Sequence, residues 1–170
     1  MVEIHNTNLN EVKIINHNSF KDHRGKFIET YNYNDYKKIL KIKSISFVQD
    51  DFSYSKKNVL RGFHGERKIH KIVSCVHGKL KISIFCNKKG HVDYLKVFTK
   101  ILSEKDNFQI YVPPMYGIAH YVLSDKAIFH YKQSGYYRRG TQFTYKWDST
   151  NLKTSWGKIK PLLSRRDKFL

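Results

Sequence analysis

Apolar residues in this chain recur at every second position more often than at every third or fourth. From Lys79 to Cys86, Leu80, Ile82, Ile84 and Cys86 share one side, and Phe108, Ile110 and Val112 alternate with Gln109 and Tyr111. A period of two marks a half-buried strand, because successive side chains of an extended backbone point to opposite faces. The same reading predicts strands over 26–31, 45–50, 58–64, 71–76, 94–101, 121–123 and 127–132. Turn chemistry separates them at Gly78, Lys88-Lys89-Gly90, 103–107 and Pro113-Pro114. One helix of about two turns is expected from Asn34 to Leu40, with Asn34 as its N-cap. Roughly ten short strands in a chain of 170 residues point to an all-β sandwich or jelly roll, in which two sheets cover each other's apolar faces. One domain over 1–170 is expected, with an irregular tail from about 140, rich in large side chains such as Trp147 and Trp156, packed across the barrel.

Composition matters for the question of partners. Lys and Arg number 32 against 14 Asp and Glu, a formal charge of +18. Such a balance is shared by nucleic-acid binders and by enzymes that take anionic substrates. The basic residues are scattered, as in Lys37-Lys38, Lys56-Lys57 and Lys88-Lys89, with no arm or long run. That spread favours solvated lysines around a positive pocket over a nucleic-acid interface. No stretch reaches the roughly 20 apolar residues of a membrane span, and MVEIHNTNLNEV lacks the charged-then-apolar pattern of a signal peptide. A cytoplasmic protein away from the membrane is expected. Cys75 and Cys86 sit in apolar runs without metal-ligand spacing and read as buried, reduced thiols.

Four segments carry chemical interest. In NVLRGFHGE (58–66), simple alternation puts Leu60, Gly62 and His64 on one face, leaving room beside the histidine, and sends Arg61 to the other face unless the strand bulges. His64 reads equally as a hydrogen-bonded core histidine or as a group facing a ligand. Lys71 opens the apolar strand KIVSCVHG, either snorkelling to the surface or offering its ammonium to an oxyanion in the barrel mouth. In AIFHYKQSGYY, Ala127, Phe129 and Tyr131 share a face, where a phenol can be core or a general acid. In PLLSRRD, Asp167 lies beside basic residues, and its simplest reading is a surface ion pair.

Taken in order, FKDHRGKFIETYN, SFVQDDFSYSKKNVLRGFH, KIVSCVHG, FHYKQSGYY, the Trp147-Asp148 pair, Trp156 and LSRRD resemble the dTDP-4-dehydrorhamnose 3,5-epimerase family over nearly the whole chain. The resemblance implies a double-stranded β-helix, the cupin jelly roll, with short peripheral helices, and a homodimer that exchanges N-terminal strands. It implies a nucleotide-diphosphate 4-keto sugar as substrate and no cofactor. By motif, His64 matches the base, Asp167 its orienting carboxylate, Lys71 the enolate-stabilising lysine and Tyr131 the acid on the opposite sugar face. Arg24, Arg61, Gln49, Glu29, Phe20 and Tyr137 match substrate-binding positions. A metal set is not expected, since Gly65-Glu66, and not a second histidine, follow His64.

Departures from the commonest family form bear on the substrate. Gly65-Glu66 replaces an aromatic-glutamine pair, Asp51 an asparagine, and Trp156-Gly157 a tryptophan-proline. In PPMYGIAHYVLS, Ile118 stands where the family has a histidine, and His120 lies two residues on. Gly65-Glu66, Ala119 to Val122 and QFTYKW (142–147) resemble the subgroup acting on GDP-linked 4-keto-6-deoxy-heptoses in bacterial capsule assembly. The leading expectation is therefore an epimerase that inverts C3 alone or both C3 and C5 of a GDP-4-keto-heptose, with His120 as a further substrate contact. The alternatives are the dTDP-4-dehydrorhamnose reaction, a 3,4-ketoisomerase of the same fold, and a non-catalytic jelly roll that binds sugar or nucleic acid.

Overall fold

The computed structural model describes residues 2–40, 45–138 and 140–168. Among them, thirteen strands and two short helices follow in chain order: β1 (Val2–Asn6), β2 (Lys13–His17), β3 (Ser19–Asp22), β4 (Gly25–Ile28), α1 (Tyr33–Ile39), β5 (Gln49–Lys56), β6 (Leu60–Glu66), β7 (Lys71–His77), β8 (Lys79–Cys86), β9 (Val97–Ser103), β10 (Phe108–Val112), β11 (Tyr116–Val122), β12 (Lys126–Gln133), β13 (Gln142–Thr144) and α2 (Arg165–Lys168). Two antiparallel sheets result, one in the order β1-β2-β10-β7-β12-β5 and the other β13-β6-β11-β8-β9, with β3 and β4 forming a separate hairpin. This is an all-β jelly roll of the cupin kind.

The apolar period of two explains why the sheets face each other. Leu80, Ile82 and Ile84 of β8 meet Val73, Ile110, Val112 and Phe129 of the six-stranded sheet in one buried cluster. The outer faces are covered as well. Leu60, Phe63, Phe85 and Phe143 pack against Leu152 and Trp156 of the C-terminal segment, and Trp156 Nε1 donates to the Trp147 carbonyl over 3.0 Å. On the other side Tyr36 of α1 packs with Ile15, Ile72 and Tyr111, and its hydroxyl donates to Gln109 Oε1 over 2.6 Å.

Several boundaries differ from the sequence expectation for physical reasons. The strand expected over 45–50 begins at Gln49 and runs to Lys56. Every residue of β11 is buried, so only its end, 121–123, carried a recognisable signal. The helix is capped two residues earlier than expected: Asn32, not Asn34, is extended and accepts from the Asn34 backbone N–H through its side chain. Cys75 and Cys86 are both buried and free, and no helix among the described residues is long and apolar enough to cross a membrane.

Candidate active site

A cavity of about 380 Å³ opens between the sheets at the end where β6, β7, β11 and β12 converge. Its five-stranded wall is shaped by an irregularity in β6. Opposite β11, His64 pairs with Ile118 and Arg61 with His120, so three steps along β6 match two along β11. The extra residue is a β-bulge. It overturns strict alternation, under which Arg61 would point away from His64; both line the cavity. Gly62 makes the bulge feasible, with φ of +110° and a backbone so close to β11 that a Cβ would lie 2.3 Å from the Ile118 carbonyl oxygen. The displaced Phe63 turns outward, its ring centroid 5.2 Å from that of Phe85, and exchanges two backbone hydrogen bonds of 3.0 Å with Tyr145.

The C-terminal segment closes this wall. Leu162 is hydrogen-bonded to Asn58 and Leu60 on the flank of β6, and the chain then enters α2. Ser164 caps the turn: its hydroxyl accepts from the Asp167 N–H over 3.1 Å and donates to Asp167 Oδ2 over 2.9 Å. Asp167 is therefore not the exposed ion pair of the simplest reading. It is 3% exposed, and its Oδ1 lies 2.9 Å from His64 Nε2. Burial works to raise this carboxyl, but His64, Ser164 and Arg166 outweigh it and hold it below the ordinary carboxylate value. The other ring nitrogen of His64, Nδ1, is buried with no hydrogen-bond partner among the described residues.

The six-stranded sheet supplies the opposite wall. Lys71 does not snorkel outward; it is 8% exposed and lines the cavity with its Nζ 5.5 Å from the centre of the Tyr131 ring. Burial lowers its pKa, while the Glu66 and Asp51 carboxylates pull the other way. Phe129, Tyr131 and Gln133 alternate along β12 into the cavity. Burial, with Asp51 adding, raises the Tyr131 phenol above its ordinary value, so it keeps its proton at neutral pH. On β11, His120 stacks on Phe129 with centroids 4.2 Å apart. Burial, reinforced by Arg61 and His64, pushes its pKa down to about 3, leaving a neutral imidazole.

The remaining expected contacts divide in two. Tyr137 lines the cavity. Gln49 does not; its amide donates to Asp51 Oδ2 over 2.7 Å and its carbonyl accepts from the Tyr137 N–H over 2.8 Å, so it braces the Tyr137 loop. Phe20 and Arg24 lie on the β3–β4 hairpin, along a separate shallow cleft, where Arg24 pairs with Asp22 at 2.6 Å. Glu29 follows that hairpin and is exposed. The sequence reading passed over Ser164, Arg166 and Gln142, which also line the cavity, Arg166 Nη1 donating to Gln142 Oε1 over 2.9 Å. A signal for Ser164 existed: serine three residues before an acid is a helix-capping pattern. Among the described residues, no three His, Cys, Asp or Glu side chains are grouped to hold a metal ion.

A profile of the dTDP-4-dehydrorhamnose 3,5-epimerase family matches residues 6–170. The chain belongs to this family. The dTDP-4-dehydrorhamnose 3,5-epimerase of Escherichia coli (strain K12) is 33% identical over 168 residues, covering 96% of this chain and 90% of the relative. The crystal structure of dTDP-6-deoxy-D-glucose-3,5-epimerase from Legionella pneumophila, in complex with dTDP-4-keto-L-rhamnose, matches with a TM-score of 0.93 at 32% identity, over 99% of this chain and 90% of that one. The dTDP-4-dehydrorhamnose 3,5-epimerase of Bacillus anthracis, with TDP and pyrophosphate bound, matches at 0.93 and 27% identity over 100% and 98%. As a member of the epimerase family, the chain is an isomerase of nucleotide-linked 4-keto sugars.

Proposed function

We propose that this epimerase inverts C3 and C5 of a dTDP-linked 4-keto-6-deoxy-hexose, with His64 as base and Tyr131 as acid. One observation carries the assignment: His64, held by Asp167, and Tyr131 belong to opposing sheets across one cavity, with Lys71 beside the phenol. A ketone at C4 acidifies the protons on C3 and C5. His64 Nδ1 takes the proton, and the C–H electron pair moves into a C3–C4 double bond as the carbonyl electrons pass to the C4 oxygen. The Lys71 ammonium stabilises that enolate oxygen. Asp167 fixes the imidazole tautomer through Nε2 and supports the imidazolium. The enolate collapses to the ketone as Tyr131 protonates the same carbon from the other face, which inverts the centre. Protons then return to the phenol and leave the imidazolium through solvent. Arg61 and Tyr137 anchor the diphosphate at the cavity mouth.

The same reading places Phe20, Arg24 and Glu29 in the site of a second copy. Phe20 and Arg24 lie on the β3–β4 hairpin, outside their own chain's cavity, and Glu29 follows it; β1 and β2 pair within their own sheet, so it is this hairpin that would reach into a partner.

The dTDP-hexose is favoured over the GDP-heptose because most of the residues behind the heptose expectation have a local structural cause. Phe143 of QFTYKW pairs with Gly65 across β13 and β6, and a Cβ on Gly65 would lie 2.1 Å from the Phe143 ring. Two of the distinguishing motifs are thus one packing arrangement on the outer face. Glu66 is buried and accepts from the Thr141 hydroxyl over 3.1 Å. Ile118 and His120 line the cavity and keep the heptose as a second reading. Incubation with each 4-keto sugar nucleotide in heavy water decides between them. Two deuterons, at C3 and C5 of the dTDP sugar, are expected. Uptake only into the GDP-heptose would change the substrate, and no uptake into either would refute the epimerase mechanism.

A further inference from the structure

We infer that His120 is a specificity residue whose Nε2 hydrogen-bonds the C2 hydroxyl of the sugar, the ring hydroxyl between the diphosphate-bearing carbon and the first inverted carbon. The inference builds on the proposed function and on four features of the cavity. His120 is 5% exposed, and its Nε2 has no hydrogen-bond partner among the described residues. A buried polar nitrogen left open is costly, so a ligand hydroxyl that enters the cavity and pairs with it gains affinity. The ring cannot turn freely to find another partner, since it stacks on Phe129 at an interplanar angle of 30°.

Register supplies the location. Ile118 sits opposite the base His64, and His120, the next residue on that face of β11, sits opposite Arg61. The step between them is about 7 Å along the strand. With the reacting carbon at His64 and the diphosphate at Arg61, the part of the sugar that falls between is C2 and its hydroxyl. Charge selects the kind of group. Burial together with Arg61 and His64 leaves this imidazole neutral, so it offers one donor and one acceptor, the complement of a hydroxyl. Phosphate oxygens have Arg61 and Arg166 on the same cavity.

Binding of an unreactive pair, dTDP-glucose and dTDP-2-deoxyglucose, tests the assignment by calorimetry, with the GDP-linked pair run in parallel. The proteins are the unmodified chain, His120→Phe, which keeps a ring against Phe129, and His120→Gln, whose amide N–H reaches toward the position of Nε2. The unmodified chain is expected to bind the 2-hydroxy ligand about tenfold more tightly than its 2-deoxy analogue, the worth of one neutral hydrogen bond in a dry site. His120→Phe should bind both alike, and His120→Gln should recover part of the preference. An unmodified chain that does not discriminate overturns the inference, a result that stands even if His120→Phe fails to fold. Equal discrimination by the unmodified chain and His120→Phe also overturns it. Because these ligands lack the ketone, the outcome is independent of turnover: absence of deuterium exchange with selective binding intact would refute the epimerase mechanism and leave the hydroxyl contact standing.

Discussion

Under the proposed mechanism, Lys71 trades stability for chemistry. An ammonium 8% exposed is costly to bury, and the direction of its pKa shift records that cost. Its folded pKa lies below the unfolded value of 10.5, so the unfolded chain binds the proton more tightly and stability rises as pH climbs from the folded pKa toward 10.5. Lys71→Met, similar in shape and uncharged, is expected to raise stability by about 1–3 kcal/mol at neutral pH, seen as a higher Tm, because it removes a buried charge. The same change should lower kcat by about 10²–10³, since the enolate loses its counter-charge. A fall in both would mean that Lys71 is a structural cation. Asp167 behaves in the opposite sense. Its folded carboxyl sits below the ordinary 3.8, so its stabilisation is complete above 3.8 and drains away as pH falls through the lower folded value. The Tm difference between the unmodified chain and Asp167→Asn should be constant at neutral pH and close in that acid range, measured by thermal melts across pH. At neutral pH, Asp167→Asn should also lose at least about a hundredfold in kcat, because an amide presents the wrong partner to the imidazole. His64→Asn is expected to abolish C3 deuterium exchange while leaving dTDP affinity within about twofold, because the base is removed and the diphosphate contacts stay.

At the level of elements, β6 decides where chemistry can occur. Gly62 and Gly65 are both constrained by close neighbours, but to different ends. Gly62→Ala would meet β11 backbone and force a side chain into φ of +110°. It should cost roughly 2–5 kcal/mol and separate Arg61 from His64, lowering both Tm and dTDP affinity. Gly65→Ala meets the Phe143 ring first. In the double variant with Phe143→Ala the loss should be smaller than the two single losses added, with a coupling of about 1–3 kcal/mol in denaturant melts. Additive losses would separate β13 from the packing of Gly65. The sequence pattern placed these strands well wherever one face was polar, as in β8 and β12. It failed at β11, where burial on both faces erases alternation, and at the bulge, which period-two reasoning cannot see. The same limits applied to the site. His64, Lys71 and Tyr131 were legible as residues on strand faces, whereas the pairing of Asp167 with His64 was legible only through the family resemblance, because it joins residues 103 positions apart and depends on how the tail crosses β6.

Across the whole molecule, the site gathers residues from both sheets and the tail, yet leaves the hairpin outside. Phe20 is 67% exposed and Phe27 68% on a two-stranded unit that pairs with neither sheet, and an isolated hairpin with bare aromatics is poorly stabilised alone in water. A partner copy that receives it would bury those rings and bring Arg24 to the diphosphate. The consequence is complementation. Arg24→Ala and His64→Asn damage different halves of a shared site, so each homodimer carries two impaired sites. A heterodimer of the two variants carries one site with both defects and one with neither. If chains assort at random after unfolding and refolding together, half the dimers are mixed and about a quarter of the unmodified activity should return, against the sum of the separately refolded variants. Activity at that sum, from mixtures shown by mass to contain the heterodimer, would place Arg24 in the site of its own chain or outside any site.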